Sequence, residues 1–211
     1  MRAEIQVLND AVDRSERLAF VGASGCGKTS VIKELLLARR TVKQRVAIYD
    51  PFLDLPGLYC ATPDQALRAL ASSPYARIRT DNEEIYASIL RLSLRGGGVL
   101  CVADEAQNLA PASGRVTAAS ADLLHLVRWG RHKGCPFLWA SQSPGACSYA
   151  LIENSTGARV IGNLSASPSL QKIAIWGLDK REVANLSIEK HELMLWIPGG
   201  SPVRRFRSVK M

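Results

Sequence analysis

No apolar run in this 211-residue chain approaches the roughly 18 residues that span a bilayer, so no transmembrane helix is expected. The opening, MRAEIQVLNDAVDRSE, mixes charges of both signs with scattered apolar residues. It lacks the continuous apolar core and small-residue cleavage site of a secretory signal, which makes a cytoplasmic setting the expectation. Paired cysteines are lacking: Cys26, Cys60, Cys101, Cys135 and Cys147 are an odd count, form no CxxC pair and keep no regular spacing to His125, His132 or His191. Neither a disulfide framework nor zinc is indicated, and reduced thiols acting as small apolar side chains are expected. Internal repeats and low-complexity linkers are absent, so one domain over 1–211 is expected. Residues 1–16 read as an N-terminal segment free to act as an arm, and residues 192–209 as a C-terminal hairpin. Trp129, Trp139, Trp176 and Trp196 sit singly in apolar patterns and are assigned to the core.

What the chain does have is an excess of positive charge, +8 from 27 basic and 19 acidic residues. That total suits a polyanionic partner such as nucleic acid, although a merely soluble basic protein gives the same number. Apolar runs of strand length alternate with helical patterns: LAFVG, VAIYD, VLCVAD, FLWASQ and ARVIGNL lie between candidate helices such as Lys28 to Arg40 and Glu83 to Leu94. The second helix has a Thr80 or Asp81 cap and Gly96 just past its end. Parallel neighbours need crossover connections, so this alternation predicts an α/β fold. Its mainly parallel central sheet would be flanked by helices in three layers, with a C-terminal strand pair around PGGSP.

The loop Gly22-Ala-Ser24-Gly25-Cys26-Gly27-Lys28-Thr29, followed by Ser30, fits GxxxxGK[ST] between a predicted strand and a predicted helix. Glycines let successive backbone N–H groups turn inward on a phosphate, and the helix start adds its positive end. Lys28 would reach the β and γ phosphates of a nucleoside triphosphate, and the Thr29 hydroxyl would ligate Mg²⁺. Further along, Val99-Leu-Cys-Val-Ala-Asp104-Glu105 is an apolar strand ending in two acids. If the two strands are neighbours in a parallel sheet, Asp104 approaches the Mg²⁺ at Thr29 while Glu105 orients or deprotonates an attacking water. That second carboxylate favours hydrolysis over phosphoryl transfer to an acceptor. Gln142, closing the next strand, could bond the γ phosphate or the water. Arg128 and Arg131 lie three apart on a helix predicted from Ala119 to Lys133. They serve either as cations near a helix C-terminus or as a finger reaching a neighbouring subunit's nucleotide.

Together, GASGCGKTS, VLCVADEAQNL and RWGRHKGCPFLWASQSP resemble the FtsK/HerA superfamily of DNA-translocating ATPases, over about Leu18 to Pro144. The resemblance implies ATP as the nucleotide, a homo-oligomeric ring of five or six subunits with ATP at each interface, and double-stranded DNA passing through the centre. It gives Lys28 and Thr29 the phosphate and Mg²⁺ roles, Asp104 the metal, Glu105 the water, Gln142 the sensor, and Arg131 or Arg128 the finger. Asp50 is similar to an acid often found at that place, and an Asp-Pro turn accounts for it equally. The chain lacks the membrane-spanning region of chromosome-partitioning members and the added barrel of repair members. In size it looks like the genome-packaging ATPases of membrane-containing icosahedral viruses, which would bring a membrane-embedded portal protein as docking partner and the host cytoplasm or virion as location.

A translocating ring grips phosphates without reading sequence. Candidate DNA contacts are Arg115, the group Arg39, Arg40, Lys43 and Arg45, and the final strand with Arg204, Arg205 and Arg207. Two other readings stay open: a small-molecule or nucleotide kinase, which would act as a monomer on an acceptor, and a non-hydrolysing adaptor that binds nucleotide and recruits another motor.

Overall fold

The computed structural model describes residues 2–113, 117–199 and 204–209. In chain order the elements are α1 (Ala3–Asp13), β1 (Arg17–Val21), α2 (Lys28–Ala38), β2 (Arg45–Tyr49), β3 (Leu58–Tyr59), α3 (Pro63–Ser72), β4 (Arg77–Thr80) and α4 (Glu83–Gly96). There follow β5 (Val99–Ala103), α5 (Ala106–Leu109), α6 (Ala118–Trp129), a 3-10 turn (Gly130–Lys133), β6 (Phe137–Ser141), α7 (Tyr149–Glu153), β7 (Arg159–Ile161), α8 (Ser167–Ile173), α9 (Lys180–Ala184), β8 (Glu192–Trp196) and β9 (Arg204–Arg207). The strands form one sheet in the order β3-β4-β2-β5-β6-β1-β7-β8-β9. The first seven run parallel, and β8 and β9 are antiparallel to their neighbours.

The central strands are buried on both faces, so each is a continuous apolar run whose alternate residues serve two different cores. Leu18, Phe20, Ile48, Val102 and Leu138 face α1 and α2, where they meet Ile5, Leu8, Ile32 and Leu35. Ala19, Val21, Tyr49, Cys101 and Trp139 face the opposite layer, with Tyr86 and Leu90 of α4 and Leu123 and Val127 of α6. This is the expected three-layer arrangement. All five cysteines are free and buried.

Several local expectations are corrected. Within residues 1–16, read as a segment free to act as an arm, Ala3–Asp13 is a helix held against the sheet by the buried Ile5, Leu8, Ala11 and Val12. Asn82, rather than Thr80 or Asp81, caps α4 by accepting from the N–H groups of Glu84 and Ile85, and the helix runs through Gly96 to stop at Gly97, φ 71°. Trp139 and Trp176 are core residues, whereas Trp129 is 56% exposed. The helix expected from Ala119 to Lys133 gives way at Trp129 to the 3-10 turn.

Strand starts and helix ends share one edge of a parallel sheet, and helix ends carry unsatisfied carbonyls. Arginines that begin strands supply the donors there. Arg17 donates to Asn154 O at the end of α7 (2.7 Å), Arg45 to Leu70 O of α3 (2.7 Å) and Arg77 to Leu36 O of α2 (2.6 Å).

Candidate nucleotide-binding site

At the other edge, where the parallel strands end, β1 runs into the glycine-rich loop and then α2. The loop needs glycine because Gly22 and Gly27 take φ values of 153° and 102°. A Cβ at Gly22 would also lie 2.8 Å from both Cys26 Sγ and Gly162 Cα. The loop is anchored from β7's side by Ala23 N–H donating to Asn163 O (2.7 Å). Lys28, the first residue of α2, is buried and folded back, its Nζ donating to Gly22 O (2.7 Å) and Ala23 O (3.0 Å).

A cleft of about 380 Å³ opens here, walled by Ser24, Gly25, Gly27, Lys28, Thr29 and Ser30 on the loop side and by Asp104, Glu105 and Gln142 opposite. These nine sequence-predicted residues therefore share one space. Gly22 and Cys26 stand behind its wall, with the Cys26 side chain fully buried. The strand that carries Asp104 is not the neighbour of β1. Strand β6 lies between them, and this insertion is what places Gln142 between the loop and the acids.

Glu105 has left-handed backbone angles (φ 52°, ψ 52°), a conformation that costs a non-glycine residue about 1–2 kcal/mol. The turn brings its carboxylate onto two amides: Oε1 accepts from Gln142 Nε2 and Oε2 from Gln107 Nε2. Asp104 accepts from the Glu105 N–H (3.1 Å). Burial, reinforced by the Glu105 and Asp50 carboxylates, pushes the Asp104 carboxyl up to about 6. A hydroxyl at Thr29 and a buried, charge-crowded carboxylate at Asp104 are the oxygen donors a small dication takes, and such a cation would relieve the crowding.

Sequence reasoning missed Gln107, Phe52, Asp54 and His191, of which the last three line the cleft. Gln107 sits in the quoted segment DEAQNL, two residues past Glu105, but only the left-handed turn makes it face back. Asp50 is wholly buried; it accepts from the N–H groups of Phe52 (3.2 Å) and Leu55 (2.6 Å) and so shapes the loop that carries Phe52 and Asp54.

Arg128 and Arg131 are exposed and do not line the cleft. They precede β6, so the length of that strand, about 17 Å, separates them from its far end at Ser141. Arg39 is buried against Asn9, Asp13 and Gln44. Arg204, Arg205 and Arg207 are exposed on the edge strand, with Arg205 3.7 Å from Glu182 and Arg207 3.6 Å from Glu192. Arg115 lies outside the described residues.

Comparison with protein families matches residues 13–143 to the family described as AAA domain. No curated protein matches the chain. Among solved structures, the genome packaging NTPase B204 from Sulfolobus turreted icosahedral virus 2, in complex with AMPPCP, is 15% identical with a TM-score of 0.71, over 93% of this chain and 99% of that one. The pCW3 conjugation coupling protein TcpA, with ATPγS, is 11% identical with a TM-score of 0.67, over 93% of this chain and 61% of that one. VirB4 of Thermoanaerobacter pseudethanolicus is 14% identical with a TM-score of 0.63, over 94% and 91%. The fold likeness agrees with the resemblance drawn from the sequence. Among the described residues no helix is long and apolar enough to cross a membrane.

Proposed function

We propose that this chain, which belongs to the AAA domain family, is an ATP-hydrolysing motor that moves double-stranded DNA, with viral genome packaging as its task. The observation that carries the reading is the Glu105 carboxylate, bonded to Gln142 and facing the same cleft as Lys28 and Thr29. A glycine-rich loop alone holds phosphate; a carboxylate opposite it, held by amides, is what hydrolysis adds.

The loop amides and the N-terminus of α2 receive the phosphates, and Lys28 exchanges its two carbonyl partners for phosphate oxygens. Thr29 and Asp104 would hold Mg²⁺, which when bound neutralises charge on the phosphates. Glu105 takes a proton from a water whose oxygen attacks the terminal phosphorus. The bond to the bridging oxygen breaks, and ADP and orthophosphate result. Gln142, touching Glu105, reports whether the terminal phosphate is present. Arg131 or Arg128 cannot reach a nucleotide in its own subunit, which suits a finger acting on the next subunit in a ring of five or six.

DNA would meet exposed cations, Arg204, Arg205 and Arg207 among them, and Arg115. The packaging assignment, and with it a membrane-embedded portal as partner, draws on the fold likeness to the packaging NTPase B204, whose TM-score of 0.71 lies above those of TcpA (0.67) and VirB4 (0.63). The test is an ATPase assay titrated with duplex DNA at several salt concentrations, with Glu105→Gln alongside. Turnover should rise with DNA and fall steeply with salt, and the variant should bind ATP without cleaving it. Unaltered turnover in Glu105→Gln would overturn the assignment.

A further inference from the structure

Of the cleft lining that these roles leave unused, Phe52 and Asp54 lie on the loop after β2 and His191 lies on the side of β8 and β9. Sheet order places β6 and β5 on one side of β1 and β7, β8 and β9 on the other. On the proposed reading, Glu105 and Gln142 mark the β6 side as the end that takes the terminal phosphate, which leaves the side toward β8 and β9 for the nucleoside. Two side chains meet the loop there. His191, just before β8, lines the cleft in a left-handed conformation (φ 49°), its Nδ1 2.8 Å from Gly25 O. A carbonyl oxygen only accepts, so Nδ1 carries the hydrogen and Nε2 of the neutral ring is an acceptor. Ser208, just after β9, is only 9% exposed and its N–H donates to His191 O (3.1 Å). Its Oγ has no partner among the described residues. That oxygen abuts the loop, since a Cβ at Gly27 would lie 2.0 Å from it.

A buried hydroxyl without a partner weakens a fold unless a ligand satisfies it. We propose that the β8–β9 pair completes the nucleotide site: Ser208 Oγ donates to a phosphate oxygen beside Gly27, and His191 Nε2 accepts from a hydrogen-donating group of the nucleoside. The inference rests on the reading of the cleft as an ATP site. It also ties occupancy of the loop to the seating of the last strand.

Calorimetric titration of wild type, Ser208→Ala and His191→Ala with a non-hydrolysable ATP analogue and with tripolyphosphate tests it, together with ligand-free thermal denaturation. Ser208→Ala should keep or raise the ligand-free midpoint, because the lost hydroxyl had no partner, yet bind both ligands about tenfold more weakly. His191→Ala should weaken the ATP analogue about tenfold and leave tripolyphosphate unchanged. Repeating the His191 comparison with 2′-deoxy and guanine analogues separates a ribose hydroxyl from a base amine, according to which analogue abolishes the difference. Variants binding like wild type would overturn this inference alone, as would a Ser208→Ala chain that lost ligand-free stability in step with affinity. A wild-type chain that bound neither ligand would overturn the reading of the cleft itself.

Discussion

The buried carboxyl of Asp104 gives the most demanding test, because its stability effect and its functional effect have opposite signs. Burial first, then the Glu105 and Asp50 carboxylates, raise it from the ordinary 3.8 to about 6. Between these values the folded chain holds a proton that the unfolded chain has released. This contribution is therefore fully present below about pH 4 and is lost as pH rises through 6. At pH 8 the ionised group costs the ligand-free fold about 3 kcal/mol. Asp104→Asn removes the charge while its amide oxygen can still accept from the Glu105 N–H, now 3.1 Å away. The variant should gain about 1–3 kcal/mol at pH 8, or roughly 3 to 8 °C in thermal midpoint for a chain of this size. The gain should shrink to a few tenths of a kcal/mol near pH 4, since wild type is then neutral as well. With magnesium and a non-hydrolysable ATP analogue the order reverses: wild type gains a metal-dependent rise in midpoint and the variant gains little. Differential scanning fluorimetry at pH 4, 6 and 8, with chelator or with magnesium and analogue, reads all of this. A ligand-free variant less stable than wild type at pH 8, or a gain that ignored pH, would refute the reasoning.

Gly27→Ala should lower the midpoint by several degrees, because φ is 102° and the new methyl meets Ser208 Oγ. Adding Ser208→Gly should restore only part of it, since the steric conflict is relieved and the backbone strain is not. Arg131→Ala should leave ATP affinity within about twofold and slow turnover by about 10³ or more, with Arg128→Ala assayed beside it to separate the two. Mixing Arg131→Ala with Glu105→Gln subunits should restore part of the activity, because one supplies the finger and the other the base; no restoration would argue against a finger acting between subunits.

The strands that hold the site were legible because burial on both faces leaves an unbroken apolar run, as in LAFVG and VLCVAD. Strand β4 was not, since RIRT buries only Ile78 and Thr80 and its arginines disguise it. Strand β3 is two exposed residues at the sheet edge. Helix α1 places Ile5, Leu8 and Val12 on one side, but intervening charges masked the period. Lys28, Thr29, Asp104, Glu105 and Gln142 could be picked out because each closes a strand or opens a helix at one sheet edge. Which strand lies between which is a tertiary fact, so the sequence suggested Asp104 next to the loop where the fold puts Gln142. Gln107, His191 and Ser208 have no local signature at all: one depends on a left-handed turn, and the other two on a strand pair that returns to the loop from far along the chain.

The net charge of +8 supports a polyanionic partner less directly than its size suggests. Arg17, Arg45 and Arg77 close the ends of helices, and Arg39 is buried between α1 and α2. Arg159 lies between the rings of Trp176 and Trp196, at 4.5 and 4.2 Å from their centroids, and burial lowers its guanidinium to about 10. These arginines are occupied inside the fold and cannot release counterions from DNA. Exposed cations include Arg204, Arg205 and Arg207 on the edge strand and Arg95, Arg128, Arg131 and Lys133 at the strand-start end of the sheet. The strand-start group lies at the sheet edge opposite the one that carries the acids of the cleft. A polymer held by phosphate contacts at the strand-start end would not compete with the nucleotide for Lys28, so the two anions can be bound together, as a motor that couples one to the other requires.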